Sequence, residues 1–301
     1  MAVRTKTAHP DLQQTLAKTQ LAALPQSAIR LLELSRDPAS GPAQYAAPIE
    51  ADPGLAGQVL KFVNSSYFGF SRKISSVKVG ITLVGARTIK NFALWNAVFS
   101  LVPNPHCGPF DLRSVWQDSL RRALFARTVA RSRGLKTTED IFTAALLQDM
   151  AVPVLAKEFP DIYVKLLAAR EQGRRRLSSL EQASFGWTHG QAAGQLARQW
   201  NLPDEFASLI ECHAGGDGGW PDELAPAIVA LSALLPAISD PLWFECAAWE
   251  QRFGELCGGL GPAAELLEKV DREFAAFAPM LKLAAPQRSL VECLQEALVA
   301  T

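Results

Sequence analysis

Few residues in this chain have the types and spacing needed for chemistry. Cys212 and His213 are adjacent, and a thiolate beside an imidazole could attack an acyl or phosphoryl centre. No Asp or Asn stands at a spacing that would orient the imidazole, so a nucleophilic thiol is not the expected reading. The five cysteines (Cys107, Cys212, Cys246, Cys257, Cys293) have neither metal-ligand nor redox-motif spacing. Free thiols in a reducing cytoplasm follow. The glycine run 215–219 has no strand signal before it and no Lys-Ser/Thr after it, so it is read as a flexible joint and not a phosphate loop. Arg170 and the run Arg174-Arg175-Arg176 could meet phosphate or an acidic partner, but a solvated helix end is the simpler expectation.

Composition narrows the class further. Over 301 residues, 49% are hydrophobic and 20% charged, which is globular rather than disordered. Thirty basic residues balance thirty acidic ones, which argues against a surface that attracts nucleic acid as a whole. No export signal is visible near Arg4 and Lys6, and the apolar stretch 224–238 carries Pro226 and Pro236 and is too short for a bilayer. A cytoplasmic chain with no membrane partner is expected.

The elements that must position any site read as helices throughout. Asp52 before Pro53 is a helix start: the carboxylate accepts first-turn amides, and the proline sits where its missing N–H is not needed. Leu55, Val59, Leu60, Phe62 and Val63 give that helix one buried face, and Asn64-Ser65-Ser66 ends it. Tyr67, Phe68 and Phe70 around Gly69 should pack under neighbouring helices. Ser75 or Ser76 caps a short helix, and Gly85 divides it from a longer one over Ile89–Leu101. Residues 11–23 suggest a short helix, and another follows Leu24-Pro25. Pro48 should kink or split the helix that begins at Gly41-Pro42.

Three prolines and a glycine in 103–109 mark a subdomain boundary. Beyond it, helices are expected over 111–133, over 141–159 with an interruption at Pro153, and over 161–172. Thr137 to Asp140 supplies capping chemistry for the second of these. Ser178-x-x-Glu181 reads as a capping box. Further helices are expected over 189–200, 204–213, 224–238, 243–257, 262–284 and 288–300. Most of the tryptophans should be core, with Trp220 the most exposed.

Leu24-Pro25, Leu31-Leu32-Glu33-Leu34-Ser35, Asp52-Pro53, Val63-Asn64-Ser65-Ser66-Tyr67-Phe68-Gly69, Ile74-Ser75-Ser76 and Leu83-Val84-Gly85 together resemble the HDOD family, the HD-related output domain of bacterial signalling proteins. The resemblance covers about residues 20–235. It implies an all-α chain: an N-terminal extension (1–19), an N-terminal helical subdomain (20–103), an HD-like bundle (109–235) and C-terminal helices packed on it (236–301).

HD-type phosphohydrolases hold a divalent cation with a His, a His-Asp pair and a later Asp, and the metal ionises a bound water. In the segments that resemble those positions, this chain has Asp118, then Gln148-Asp149, then Ala233. An amide is a poor ligand and a methyl is none. The resemblance also places Glu181, His189 and His213 near such a pocket. It implies a polar binding pocket of Asp118, Gln148, Asp149, Glu181, His189 and His213, no catalytic residue and no cofactor. The alternative is a divalent metal on Asp118, Asp149, His189 and His213, serving a phosphohydrolase or cyclic-nucleotide phosphodiesterase. The implied function is regulatory, through a signalling protein partner or a small nucleotide ligand.

Overall fold

The computed structural model describes residues 10–19, 23–35, 37, 39–214, 219–281 and 283–300, and every regular element among them is helical. The α-helices are α1 (Leu12–Lys18), α2 (Gln26–Ser35), α3 (Pro42–Glu50), α4 (Pro53–Val63), α5 (Val77–Val84), α6 (Ala86–Leu101), α7 (Leu112–Ser132), α8 (Thr138–Leu147), α9 (Ala151–Glu158), α10 (Pro160–Ala169), α11 (Leu177–Phe185), α12 (His189–Gln199), α13 (Asp204–Glu211), α14 (Leu224–Ser232), α15 (Cys246–Cys257), α16 (Ala263–Phe277) and α17 (Leu290–Ala300). The glycine run 215–219 falls almost wholly outside the described residues.

Local chemistry explains most boundaries. The Asp52 carboxylate accepts the Leu55 amide at 3.0 Å, with Pro53 in the first turn of α4. Asn64 closes α4: its amide donates to Leu60 O and Ile74 O, and its Oδ1 accepts the Ile74 amide at 2.7 Å. That clamp fixes the ends of the aromatic loop 65–73. Ser76 Oγ accepts the Val79 amide to start α5. Gly85 then turns the chain at φ 97°, a conformation costly for other residues, before α6. Asp111 caps α7 by accepting the amides of Arg113 and Ser114.

Four expectations need correction. Pro48 does not split α3; it lies close to the C-terminal end, where the helix has little left to lose. The break expected at Pro153 falls earlier, at Gln148-Asp149-Met150, and Pro153 lies in the first turn of α9, where no intrahelical amide is needed. Ser178 is not a cap: α11 begins before it, and Glu181 faces inward. The apolar stretch 224–238 is a shorter helix, ending at Ser232.

α2–α6 pack on one another, and α7 is the axis of the bundle, lying against α8, α14 and α16. The C-terminal helices are held on α7: Arg127 pairs with Glu273 at 2.8 Å, Phe125 meets Trp249 with ring centroids 5.8 Å apart, and Arg121 donates to Arg288 O. The N-terminal helices are held by Asn91, which donates to Glu139 O at 2.7 Å, and by the Phe62 and Tyr67 rings against Phe277. Trp220 is half-buried under the Arg252 guanidinium. Among the described residues no helix is long and apolar enough to cross a membrane.

Candidate functional site

A cavity of about 440 Å³ opens where α8 breaks before α9. The break is what turns Asp149 into it. Asp118 comes from α7, His189 from the start of α12, and His213 from the 3-10 turn Cys212–Ala214. Gly190 makes the meeting of the two histidines feasible. A Cβ there would lie 2.6 Å from the Ala214 Cβ and 2.8 Å from Glu211 O, so only glycine lets α12 approach that turn.

The inner end is a chain of matched donors and acceptors. Tyr163 donates its hydroxyl to Glu181 Oε1 at 2.5 Å. Glu181 Oε2 accepts both the backbone amide of His189, at 2.7 Å, and its Nδ1–H, at 2.6 Å. His189 Nε2 faces His213 Nε2 at 3.1 Å and Asp149 Oδ1 at 3.4 Å. His213 donates Nδ1–H to Ile210 O at 2.5 Å. Two assignments satisfy these contacts: each ring donates its Nδ1–H, and the proton between the two Nε2 atoms and Asp149 Oδ1 belongs either to His189 or to His213.

The electrostatics favour His189 as the holder of that proton. Burial alone would push His189 down, but Glu181 and Asp149 raise it to about 9. His213 is lowered, chiefly by burial. Burial would also raise Asp149, yet the Arg122 guanidinium and the two histidines hold it well below the usual carboxylate range. Arg122 pairs with Asp149 Oδ2. Asp118 is raised to about 6, mainly by burial, despite accepting the Ile238 amide at 2.8 Å.

The outer wall carries more ion pairs. Arg170 meets Asp240 at 2.7 Å and Arg176 meets Glu245 at 3.2 Å. Arg170, Arg175 and Arg176 line the cavity, so the expectation of a purely solvated arginine end is corrected for them. Arg174 stays exposed, over the Phe244 ring.

The domain model for the HDOD domain matches residues 21–215. The chain belongs to the HDOD family. An uncharacterised protein of Treponema pallidum is 23% identical to this HDOD chain over 194 residues, which are 63% of the chain and 37% of that longer protein. An HDOD protein of unknown function from Geobacter sulfurreducens has the same fold, with a TM-score of 0.72 at 19% identity over 89% of this chain and 96% of its own. A Marinobacter aquaeolei protein assigned provisionally to signal transduction superposes with a TM-score of 0.71 at 22% identity, over 90% of this chain and 65% of its own. A Shewanella amazonensis protein assigned provisionally as a phosphohydrolase has a TM-score of 0.71 at 19% identity, over 91% of this chain and 98% of its own. At these identities the likeness is one of fold.

Of the six polar residues singled out in the HDOD sequence, Asp118, Asp149, His189 and His213 line the cavity. Glu181 lies behind His189, fully buried, as its anchor. Gln148 is fully buried outside the cavity wall, and neither of its amide atoms has a hydrogen-bond partner among the described residues. The potential metal donors are Asp149, His189 and His213, whose ligand atoms lie within 4.8 Å of one another; Asp118 is not among them. Sequence reasoning missed Arg122 and Tyr163. Arg122 stands four residues after Asp118 on one helix, a spacing that puts both on one face and was available as a signal. Tyr163 lies 18 residues from Glu181 on another helix, with no local cue.

Proposed function

We propose that this HDOD chain is a non-catalytic regulatory module, which acts by binding a signalling protein or a small ligand. The carrying observation is that the position where a cation would sit is already neutralised from within. Arg122 takes Asp149 Oδ2, which sets a guanidinium beside the carboxylate that would have to coordinate, and His189 Nε2 and His213 Nε2 already face each other at 3.1 Å. A divalent ion on Asp149 Oδ1 and the two imidazoles would lie beside that guanidinium, and the proton between the rings would have to leave. It would then find Gln148 and Ala233 where the resembling enzymes place two further ligands. The cavity, with its paired charges and with Trp243 and Phe244 in its wall, falls within the volume range of small-ligand pockets, so a nucleotide-sized effector fits this reading.

The second reading, a metal-dependent phosphohydrolase, draws on Asp149, His189 and His213. Those three side chains would hold the ion, which would supply a water of lowered pKa. The chain, purified without chelator, is assayed for metal content and for hydrolysis of bis(p-nitrophenyl) phosphate and a cyclic dinucleotide. Substoichiometric metal and no turnover are expected. Stoichiometric metal with turnover, both lost in Asp149→Ala, would overturn the proposal.

A further inference from the structure

From Pro53 to Phe110 the sequence contains no acidic residue, in a chain whose totals balance at 30 and 30. The basic residues in that stretch are Lys61, Arg72, Lys73, Lys78, Arg87 and Lys90. Two of them are committed to the bundle: Arg87 donates to Lys136 O at 2.6 Å, and Lys90 meets Asp140 at 3.5 Å. Lys61, Arg72, Lys73 and Lys78 are exposed, and no hydrogen bond or ion pair engages their side chains among the described residues. The elements packed on α5 are α3, α4 and α6, and their only acidic residue is Glu50.

The same segment leaves apolar side chains in solvent. α5 buries Val77, Gly80 and Ile81 and presents Lys78, Val79, Thr82 and Leu83 outward. Val79 is 46% and Leu83 51% exposed, four residues apart and therefore on one stripe. The contact beneath is tight: a Cβ on Gly80 would lie 3.1 Å from the Val63 side chain, so α5 is fixed on α4. The loop before α5 is braced as well. Asn64 ties it at Ile74, and the partly exposed Phe70 ring is stacked on Phe68 at 6.1 Å. A braced apolar stripe with Lys78 on the same helix and Arg72 and Lys73 in the loop that leads into it is preorganised for a complementary surface.

We propose that loop 65–76 and the outer stripe of α5 are the docking surface for an acidic amphipathic helix of a partner protein. The spacing of Val79 and Leu83 suits a helix that offers aliphatic side chains at four-residue intervals, and the cations suit carboxylates on its flanks. Single- or double-stranded nucleic acid fits less well, because it would leave both aliphatic side chains against phosphate and sugar. An anionic bilayer fits less well because the apolar area is small and lies on a short, fixed helix. The inference rests on the reading of this chain as a binding module.

The test uses the full chain and a fluorescent Glu/Leu helical peptide with Leu at four-residue spacing. The comparators are a peptide of the same composition with the stripe scrambled, an oligothymidylate and phosphatidylglycerol vesicles. The striped peptide should bind best, roughly tenfold or more above the scrambled one. The double variant Val79→Asp, Leu83→Asp should lose that advantage, and Arg72→Glu with Lys78→Glu should weaken binding and its salt dependence. These positions are exposed, and circular dichroism checks that each variant is folded. Equal binding of both peptides, no binding, tighter binding of oligothymidylate or vesicles, or indifference to the substitutions would overturn the proposal. Metal content and hydrolysis are measured on the same preparations. A silent, metal-free chain without stripe-dependent binding defeats only the docking surface; a metal-loaded, hydrolysing chain that keeps stripe-dependent binding defeats only the non-catalytic reading.

Discussion

In the bundle, three arginines that face the cavity are each matched to a carboxylate: Arg122 to Asp149, Arg170 to Asp240 and Arg176 to Glu245. In the N-terminal helices and the loop before α5, Lys61, Arg72, Lys73 and Lys78 stand in solvent with no such partner among the described residues. The two regions therefore ask different things of a ligand. Entry into the cavity must exchange existing ion pairs for new ones, which favours selectivity over strength. Contact with the outer face of α5 meets charge that no carboxylate among the described residues neutralises, which favours fast, salt-sensitive encounter.

The largest effect that could break this contrast is at Glu181. It is fully buried and accepts from Tyr163 and twice from His189. Glu181→Ala leaves a buried imidazolium and a buried hydroxyl unpaired and should lower stability by about 3–5 kcal/mol in urea unfolding. Glu181→Gln, which keeps the volume and one acceptor, should lose less. Phe62→Ala probes the other region on a similar scale. It removes a ring stacked on Phe92 at 4.1 Å and meeting Phe277 at 5.7 Å, and should cost about 3–5 kcal/mol. Equal and small losses at both positions would erase the distinction between a polar interior and an aromatic one.

A smaller effect is expected on changing pH. His189 is raised to about 9 from 6.5, so the folded chain holds that proton more tightly than the unfolded chain. Its contribution is complete below pH 6.5 and fades as pH rises through 9. Asp149, held below its usual value, is ionised throughout that window and adds no slope. The melting temperature should fall between about pH 7 and about pH 8, and His189→Gln should remove most of that fall. At higher pH the thiols of Cys212, Cys246 and Cys257, pushed up by burial to about 12, 11 and 11, add a loss of their own. The smallest effect is at the loop clamp. Asn64→Ala should cost only about 1 kcal/mol, because Asn64 is exposed, yet speed amide exchange at Ile74 and loosen the surface beside α5.

Much of the fold could be read from short-range chemistry. Asp52-Pro53, Asn64, Ser76, Gly85 and Asp111 set helix ends through contacts within a few residues, or ten in the case of Asn64. Pro153 misled because the same residue breaks a helix interior but suits a first turn, and only tertiary packing decides which applies. The site was legible in part. Asp118, Asp149, His189 and His213 stood out through the likeness to metal enzymes, but what neutralises them did not. The Glu181 reading as a cap was reasonable at the spacing from Ser178, yet the acceptor it provides is for His189, eight residues on. Tyr163 and Asp240 reach their partners across 18 and 70 residues, distances at which a single sequence carries no pairing signal.

The most direct test of the central claim is the protonation of His189 in the intact chain. Long-range proton–nitrogen NMR of histidine-labelled protein at neutral pH, with and without zinc, reads both ring nitrogens separately. The charge-neutralised site predicts a doubly protonated His189 beside a neutral His213 that carries its proton on Nδ1, with spectra indifferent to stoichiometric zinc. A His189 whose Nε2 is bare, and whose signals move with His213 as one equivalent of zinc is added, would contradict it.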